Sequence, residues 1–229
     1  MKHFRTLLLW DIRLLHRNRI FLLAGLVALI YTGLFYVVRP EQNPAPFLVI
    51  LLFNDPVMTG YVFAAVLWLF DKDQHTLQAI SVLPIPLHYY LFSKATILSV
   101  LSTLVALVIA LAVRGTGYGW MDLLAGTFLS TFLFAGLGFA VGSKSRNFNE
   151  MLLYSIPLLI LSGLPLLPMA GLGTALHFLP FPSTGGLGLL QQALGLPVAL
   201  SRWGLYAHLL FFNALAWAWA FRLTQKQLL

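Results

Sequence analysis

The chain has 229 residues, of which 59% are apolar and only 9% are charged. Because a soluble domain usually carries about 25% charged residues, these proportions exclude an ordinary soluble globule and predict a protein whose surface faces lipid. The net charge of +7 does not indicate nucleic-acid binding, since the basic residues cluster at the ends of apolar runs, and the absence of cysteine excludes disulfides, thiolate metal sites and cysteine nucleophiles.

Residues 1–19 carry five basic side chains and a single acid, Asp11. On a helical wheel the apolar residues share one broad face and most basic residues share the other. This pattern predicts an amphipathic helix in the headgroup layer, in contact with membrane lipid. Asp11 falls within the apolar face, so we expect it to meet protein, or a basic side chain such as Arg19. A basic tail that only sets topology remains an alternative, whereas a signal peptide fits poorly because no cleavage pattern is clear.

Six apolar runs predict six membrane spans, since about 19 helical residues cross a bilayer core. The fifth run loses regularity at Gly163, Leu164 and Pro165. The predicted spans cover residues 20–38, about 46–70, 95–113, 120–142, from 151 onward, and 203–221.

The segment 164–202, between the fifth and sixth runs, is mostly apolar but rich in proline and glycine. Irregular backbone at membrane depth is tolerated only where protein or a water-filled cavity satisfies it. The segment therefore predicts a pair of short re-entrant or interfacial helices on the outer side. A seventh span around residues 185–201 is the alternative, although Pro197 would break it.

The basic residues set the orientation. With six spans, one set of loops and termini holds eleven lysines and arginines, while the other holds only Arg39, Arg114 and Arg202. By the positive-inside rule the first set is cytoplasmic. We therefore expect both termini and the loops 71–94 and 143–150 in the cytoplasm.

Among the polar side chains within predicted spans we single out Asn54, Asp55 and His208. A carboxylate at the centre of a span costs about 2.5–3.5 kcal/mol on insertion scales, so Asp55 should face protein or water. These residues are candidates for the translocation path. Alternatively, Asn54 and Asp55 cap a helix that restarts at Pro56, and His208 makes an interhelical hydrogen bond rather than binding a metal.

The sequence contains no catalytic constellation. A Walker A loop requires glycine directly before its lysine, and Ser143 occupies that place before Lys144. The six histidines are dispersed, without metal-ligand spacing. A small-xxx-small pair, Gly138 and Gly142, predicts close helix packing, with a dimer seam as one option.

The most informative stretch is the polar loop 71–94. Nothing breaks a helix between residues 72 and 83, and apolar residues recur there at helical spacing. Pro84 ends that helix, and Pro86 is suited to the first position of the next one. The stretch predicts a short amphipathic helix that docks a soluble partner, although a plain polar connection has the same features.

This loop resembles the cytoplasmic loop of type-2 ABC transporter permeases (ABC-2 exporter membrane subunits). The matching residues lie in one gapless register: Asp71-Lys72-Asp73, Thr76-Leu77, Pro84, and Tyr90-Leu91 with Lys94. The departures are His75, Gln78, Leu83 and Tyr89, which leave the loop less acidic than usual. Asn54-Asp55-Pro56 and Tyr90 to Lys94 look most like the fluoroquinolone-export-type permeases.

The resemblance implies an all-α membrane protein with a single permease domain over residues 1–229. It further implies a homodimer with two separate ATP-binding subunits, which hold ATP and Mg, while this chain holds no cofactor. The complex would export a hydrophobic or amphipathic small molecule, drug-like or lipid-like, across the bacterial inner membrane. The coupling residues would be Asp71, Lys72, Asp73, His75, Thr76, Leu77, Gln78, Ile80 and Pro84, with Lys144 and Arg146 in the second loop.

Three alternatives remain open at the level of sequence. A haem-export-type permease of cytochrome c maturation has a similar plan of spans. A membrane scaffold would transport nothing and need no ATPase. An ion-coupled carrier would use Asp55 and a proton gradient.

Overall fold

The computed structural model describes residues 2–17, 19–38, 44–81, 86–115 and 117–227, with the side chains of these residues other than 2–6, 15, 16, 79–81 and 114. Every regular element in these ranges is helical. The α-helices are α1 (Lys2–Arg17), α2 (Ile20–Val38), α3 (Ala45–Asp55), α4 (Phe63–Asp73), α5 (Thr76–Ser81), α6 (Leu87–Arg114), α7 (Trp120–Lys144), α8 (Phe148–Gly163), α9 (Thr184–Ala193) and α10 (Arg202–Gln225). A π-helix, Pro56–Val62, joins α3 to α4, and two 3-10 helices, Leu164–Ala170 and Ala175–Phe178, follow α8.

The prediction of six spans is confirmed. Within the described ranges six helices are long and apolar enough to cross a membrane. They are Ile20–Val38, Ala45–Asp73, Leu87–Val113, Trp120–Lys144, Phe148–Ala170 and Arg202–Gln225. The second is continuous from α3 through the π-helix to α4, and the fifth passes from α8 into a 3-10 helix where irregularity was predicted.

Helix α7 lies at the centre of the bundle. Of its most apolar stretch 72% is buried within the protein, against 17% for α2 and 22% for the fifth span. Glycine makes this central packing possible, because a Cβ at Gly138 would lie 2.3 Å from the carbonyl oxygen of Tyr61 and one at Gly142 would lie 2.9 Å from that of Ala65. The dimer seam considered for these two glycines is therefore wrong: their surface is filled by the second span of the same chain.

The polar loop after the second span differs in register from its prediction. Helix α4 continues to Asp73, and the chain turns at Gln74 and His75, where His75 has a φ of +58°. Helix α5 begins only at Thr76, so the predicted start of this helix at Lys72 is wrong. Pro86 is extended and precedes α6 instead of opening it, and Pro84 lies outside the described residues.

The predicted outer segment 164–202 forms the first 3-10 helix, which still belongs to the fifth span, then the second 3-10 helix and α9. At ten residues α9 is about 15 Å long, too short to cross a bilayer, which speaks against a seventh span. Helix α9 is buried against α7 and α10, and Leu189 and Leu190 are fully enclosed. The depth of this segment in the membrane stays a prediction.

Candidate functional site

A cluster of buried charges joins three helices at the end of the bundle that carries the predicted cytoplasmic loops. Lys94 of α6 places its ammonium nitrogen 3.2 Å from Asp71 of α4 and 3.4 Å from Asp11 of α1. The hydroxyl of Tyr90 donates to Asp71 and that of Ser93 donates to Asp11. Lys94 is only 4% exposed, so the two carboxylates replace the water that its charge would otherwise need.

The position of Asp11 confirms that it meets protein rather than lipid, and its partner is Lys94 instead of Arg19. Burial raises the pKa of the Asp11 carboxyl above its ordinary value, because removal from water disfavours the charged form. The ammonium of Lys94 and the hydroxyl of Ser93 act in the opposite direction without cancelling that effect. Burial is therefore the dominant influence on the pKa of Asp11.

The two predicted cytoplasmic loops lie side by side. The ammonium of Lys72 donates to the backbone carbonyl of Ser145 over 3.2 Å. The second loop is short, because α7 extends to Lys144 and Asn147 already caps α8 by accepting from the amide of Glu150 at 2.9 Å. The Glu150 carboxylate in turn accepts from the amide of Arg146 at 2.8 Å, which holds this loop in one shape.

The predicted coupling residues divide by exposure. Asp71 and Leu77 are buried, so they support the loop instead of presenting a face, and Lys72 and Thr76 are half-buried. The side chain of Ile80 and the whole of Pro84 lie outside the described residues. Six exposed polar residues of the two loops form what we call the coupling surface: Asp73, Gln74, His75, Gln78, Lys144 and Arg146.

Ser93 is the member of the buried cluster that sequence reasoning missed, and the link from α1 to Lys94 was missed with it. Two signals were available. Asp11 stands alone among apolar residues, and Tyr90 and Lys94 are four positions apart, which places both on one face of α6. The pairing across 83 positions has no local signature and needed the fold.

Asp55 was predicted either to cap a helix or to line the translocation path, and the structure bears on the first of these. The backbone is helical through Asp55, Pro56 and beyond, and its side chain makes no capping hydrogen bond, so the capping hypothesis is wrong. The carboxylate accepts from the hydroxyl of Thr59 at 3.1 Å and from that of Ser102 on α6. With 2% exposure, Asp55 ties the second span to the third.

His208 and Asn54 each have a hydrogen-bond partner within the protein. His208 donates from Nε2 to the carbonyl oxygen of Leu179 at 2.7 Å, so the expected hydrogen bond is present, but its partner lies in the turn after the second 3-10 helix instead of in another helix. The amide nitrogen of Asn54 donates to the hydroxyl of Tyr31 on α2. Within the described ranges no group of histidine or acidic side chains is arranged to hold a metal ion. The side chains of Asn54, Asp55 and His208 therefore bond to different parts of the fold, namely α2, α6 and the turn at Leu179.

Known proteins resemble this chain over most of its length. A sequence profile for the fluoroquinolones export permease protein family matches residues 2–228. Fluoroquinolones export permease proteins from two strains of Mycobacterium tuberculosis are each 31% identical over 166 residues, which cover 72% of this chain and 68% of theirs. The chain is therefore a multi-pass membrane protein and belongs to the fluoroquinolones export permease protein family.

Proposed function

We propose that this chain is the membrane subunit of an ATP-driven ABC exporter that moves hydrophobic or amphipathic small molecules across the bacterial inner membrane. A separate ATP-binding subunit docks on the coupling surface from the cytoplasm. The chain works as a homodimer, so that two ATP-binding subunits can close on one another beneath it. The names of the relatives support a drug as the exported compound.

The observation that carries this proposal is the meeting of both predicted cytoplasmic loops in one exposed polar surface. Loops separated by two spans are brought together through the hydrogen bond between Lys72 and Ser145. This contact gives a soluble partner one continuous area to bind instead of two isolated turns. The surface combines acidic Asp73 with basic Lys144 and Arg146, which suits recognition by complementary charges.

The contacts behind the surface suit it to transmit movement. Leu77 of α5 is buried with Trp68 of α4 and Leu91 of α6, so a shift of α5 is transferred to two spans. The salt bridges of Lys94 connect α1 to these two spans as well. Because packed interiors shift as rigid bodies, nucleotide-driven closure of the partner would move these helices together.

A charge-reversal experiment tests the docking role. The chain is co-expressed with candidate ABC-type ATP-binding proteins from the same organism, and their co-purification is measured together with ATP-dependent accumulation of a fluoroquinolone in inverted vesicles. We expect the double substitution of Lys144→Glu and Arg146→Glu to lower both signals by about tenfold or more, because charges that attract the partner now repel it.

The matched control is the double substitution of Arg222→Glu and Lys226→Glu. It makes the same change of charge at exposed positions on the same predicted side of the membrane, outside the coupling surface. Co-purification should persist in this control. Loss of the partner in both variants, or in neither, would contradict docking at the coupling surface.

A further inference from the structure

A groove opens in the half of the bundle away from the coupling surface. Its walls come from α2, α3, the π-helix and the end of α8, and its volume is about 410 Å³. Sites that bury drug-sized molecules occupy about 300–1,000 Å³. The groove is therefore large enough for such a molecule.

A polar pair interrupts the apolar wall. Asn54 of α3 and Tyr31 of α2 both line the groove, and the amide nitrogen of Asn54 donates to the Tyr31 hydroxyl. That bond leaves the hydroxyl hydrogen of Tyr31 as a donor and the amide oxygen of Asn54 as an acceptor. A ligand with one acceptor and one donor along an edge can satisfy both groups.

The rest of the wall is apolar, and aromatic rings and a thioether supply much of it, from Phe47, Phe53 and Met58. No described residue that lines the groove is charged. Asp55, although adjacent to Asn54 in sequence, turns its carboxylate to Ser102 on α6. A charged ligand would lack a counter-ion here, so the lining favours an uncharged molecule.

The groove opens on the outer side of the single chain, which faces lipid wherever the second copy of the proposed homodimer does not cover it. It lies between α2 and the fifth span, the two least buried of the six spans. Val57 and Met58 of the π-helix form part of its floor. π-Helical turns are rare and are found frequently at functional sites.

We infer that this groove binds uncharged, aromatic, amphipathic small molecules that enter from the lipid phase. The occupant is the exported substrate in its uncharged form, which for a fluoroquinolone is the form with a protonated carboxyl group and a neutral amine, and in this respect the inference rests on the proposed function. Asn54 and Tyr31 orient the polar edge of the molecule, while the rings and Met58 enclose its apolar body.

Photolabelling with 4-hydroxybenzophenone tests this site. At about pH 6, below the pKa of its phenol, the probe is uncharged; it is aromatic and has a carbonyl acceptor and a hydroxyl donor. The full-length chain in lipid nanodiscs is irradiated with the probe, and labelled residues are mapped by mass spectrometry. We expect saturable labelling on the groove walls, with Met58 prominent because it is 44% exposed there. The anionic analogue 4-benzoylbenzoate should label the groove about tenfold less.

Two variants and a control define the site. Gly163 lines the groove, and a Cβ added there meets no atom within 4 Å, so Gly163→Phe should fold normally and fill the space. Gly25 on α2 has equally open surroundings outside the groove, which makes Gly25→Phe the matched control. We expect Gly163→Phe to lower groove labelling about tenfold, Asn54→Leu to lower it about fivefold through the lost acceptor, and Gly25→Phe to leave it unchanged.

Several results would overturn the inference. Labelling spread evenly over lipid-facing residues would show partition into the bilayer only. A loss in Gly163→Phe without any loss in Asn54→Leu would indicate a groove for acyl chains. Labelling unaffected by Gly163→Phe would place the probe elsewhere. The assay uses neither ATP nor the ATP-binding subunit, so its failure is distinguishable from failure of coupling.

Discussion

The ammonium nitrogen of Lys94 lies 3.4 Å from a carboxylate oxygen of Asp11 and thereby joins α6 to α1 across 83 positions of sequence. The same nitrogen lies 3.2 Å from Asp71. One positive charge is thus shared by two carboxylates on different helices. Because all three groups are largely withdrawn from water, each depends on the others for the stability that solvent would provide.

Replacing Lys94 by methionine should destabilise the protein strongly. The substitution keeps most of the side-chain volume but leaves two carboxylates buried without a cation, and loss of one partner of a buried pair costs about 3–5 kcal/mol. Thermal unfolding in detergent or nanodiscs measures the effect. Lys144→Met is the control, since that side chain is exposed. Equal unfolding temperatures for the two variants would mean that the charge of Lys94 does not stabilise the fold.

The contribution of Asp11 to the stability of the protein should depend on pH. Burial raises the pKa of Asp11 in the folded protein above that of an exposed carboxyl, so the folded protein binds the proton more tightly than the unfolded chain does. The contribution of Asp11 to stability is then fully present below the ordinary pKa of an aspartate and is lost as pH rises through the raised value. Asp11→Asn should therefore gain stability relative to the parent as pH rises above about 4, the ordinary pKa of an aspartate.

The measurement is the difference in unfolding temperature between Asp11→Asn and the parent across that pH range. Asp73→Asn is the control, because Asp73 is exposed at the same end of the molecule. A difference that shrinks as pH rises would reverse the sign and show that attraction to Lys94 outweighs burial.

The sequence predicted the spans well because their signal is local. Each apolar run is long enough to cross a bilayer by itself, and lipid requires such a run to be helical. The predicted orientation rests on the number of lysines and arginines in each set of loops, so it too requires no knowledge of how the helices pack. The register of α5 was missed for a specific reason: His75 adopts a φ of +58°, which ends α4 where its residue type gave no warning.

Contacts between residues far apart in the chain could not be predicted from the sequence. Nothing local shows that Asp55 faces Ser102, 47 positions away, so a cap at Pro56 was an equally good explanation of an acid before a proline. The Gly138 and Gly142 pair was read correctly as a site of close packing. Whether its partner is another copy or another helix depends on where Tyr61 and Ala65 lie, which only the fold determines.

Gly138→Ala should destabilise the bundle. Its Cβ would lie 2.3 Å from the carbonyl oxygen of Tyr61, a backbone atom that cannot move without displacing the π-helix. Overpacking of this kind costs about 1–3 kcal/mol. Thermal unfolding and the yield of folded protein measure it. Gly33→Ala is the control, because a Cβ there meets no atom within 4 Å and alanine favours the helix. If both variants behaved alike, the close approach of α7 to the second span would be in doubt.

Asp55→Asn separates ATP-driven export from an ion-coupled carrier. The carboxylate accepts hydrogen bonds from Thr59 and Ser102, and an amide has only one acceptor oxygen, so one hydroxyl loses its partner at a cost of about 1–3 kcal/mol. Ser102→Ala removes one of these hydrogen bonds while keeping the acid, which makes it the matched control. In inverted vesicles supplied with ATP and a protonophore, we expect both variants to accumulate a fluoroquinolone at rates within about threefold of the parent, because Asp55 ties two spans together and carries no ion. Transport that a proton gradient drives without ATP, and that is lost in Asp55→Asn but not in Ser102→Ala, would instead make Asp55 the ion-binding residue of a carrier.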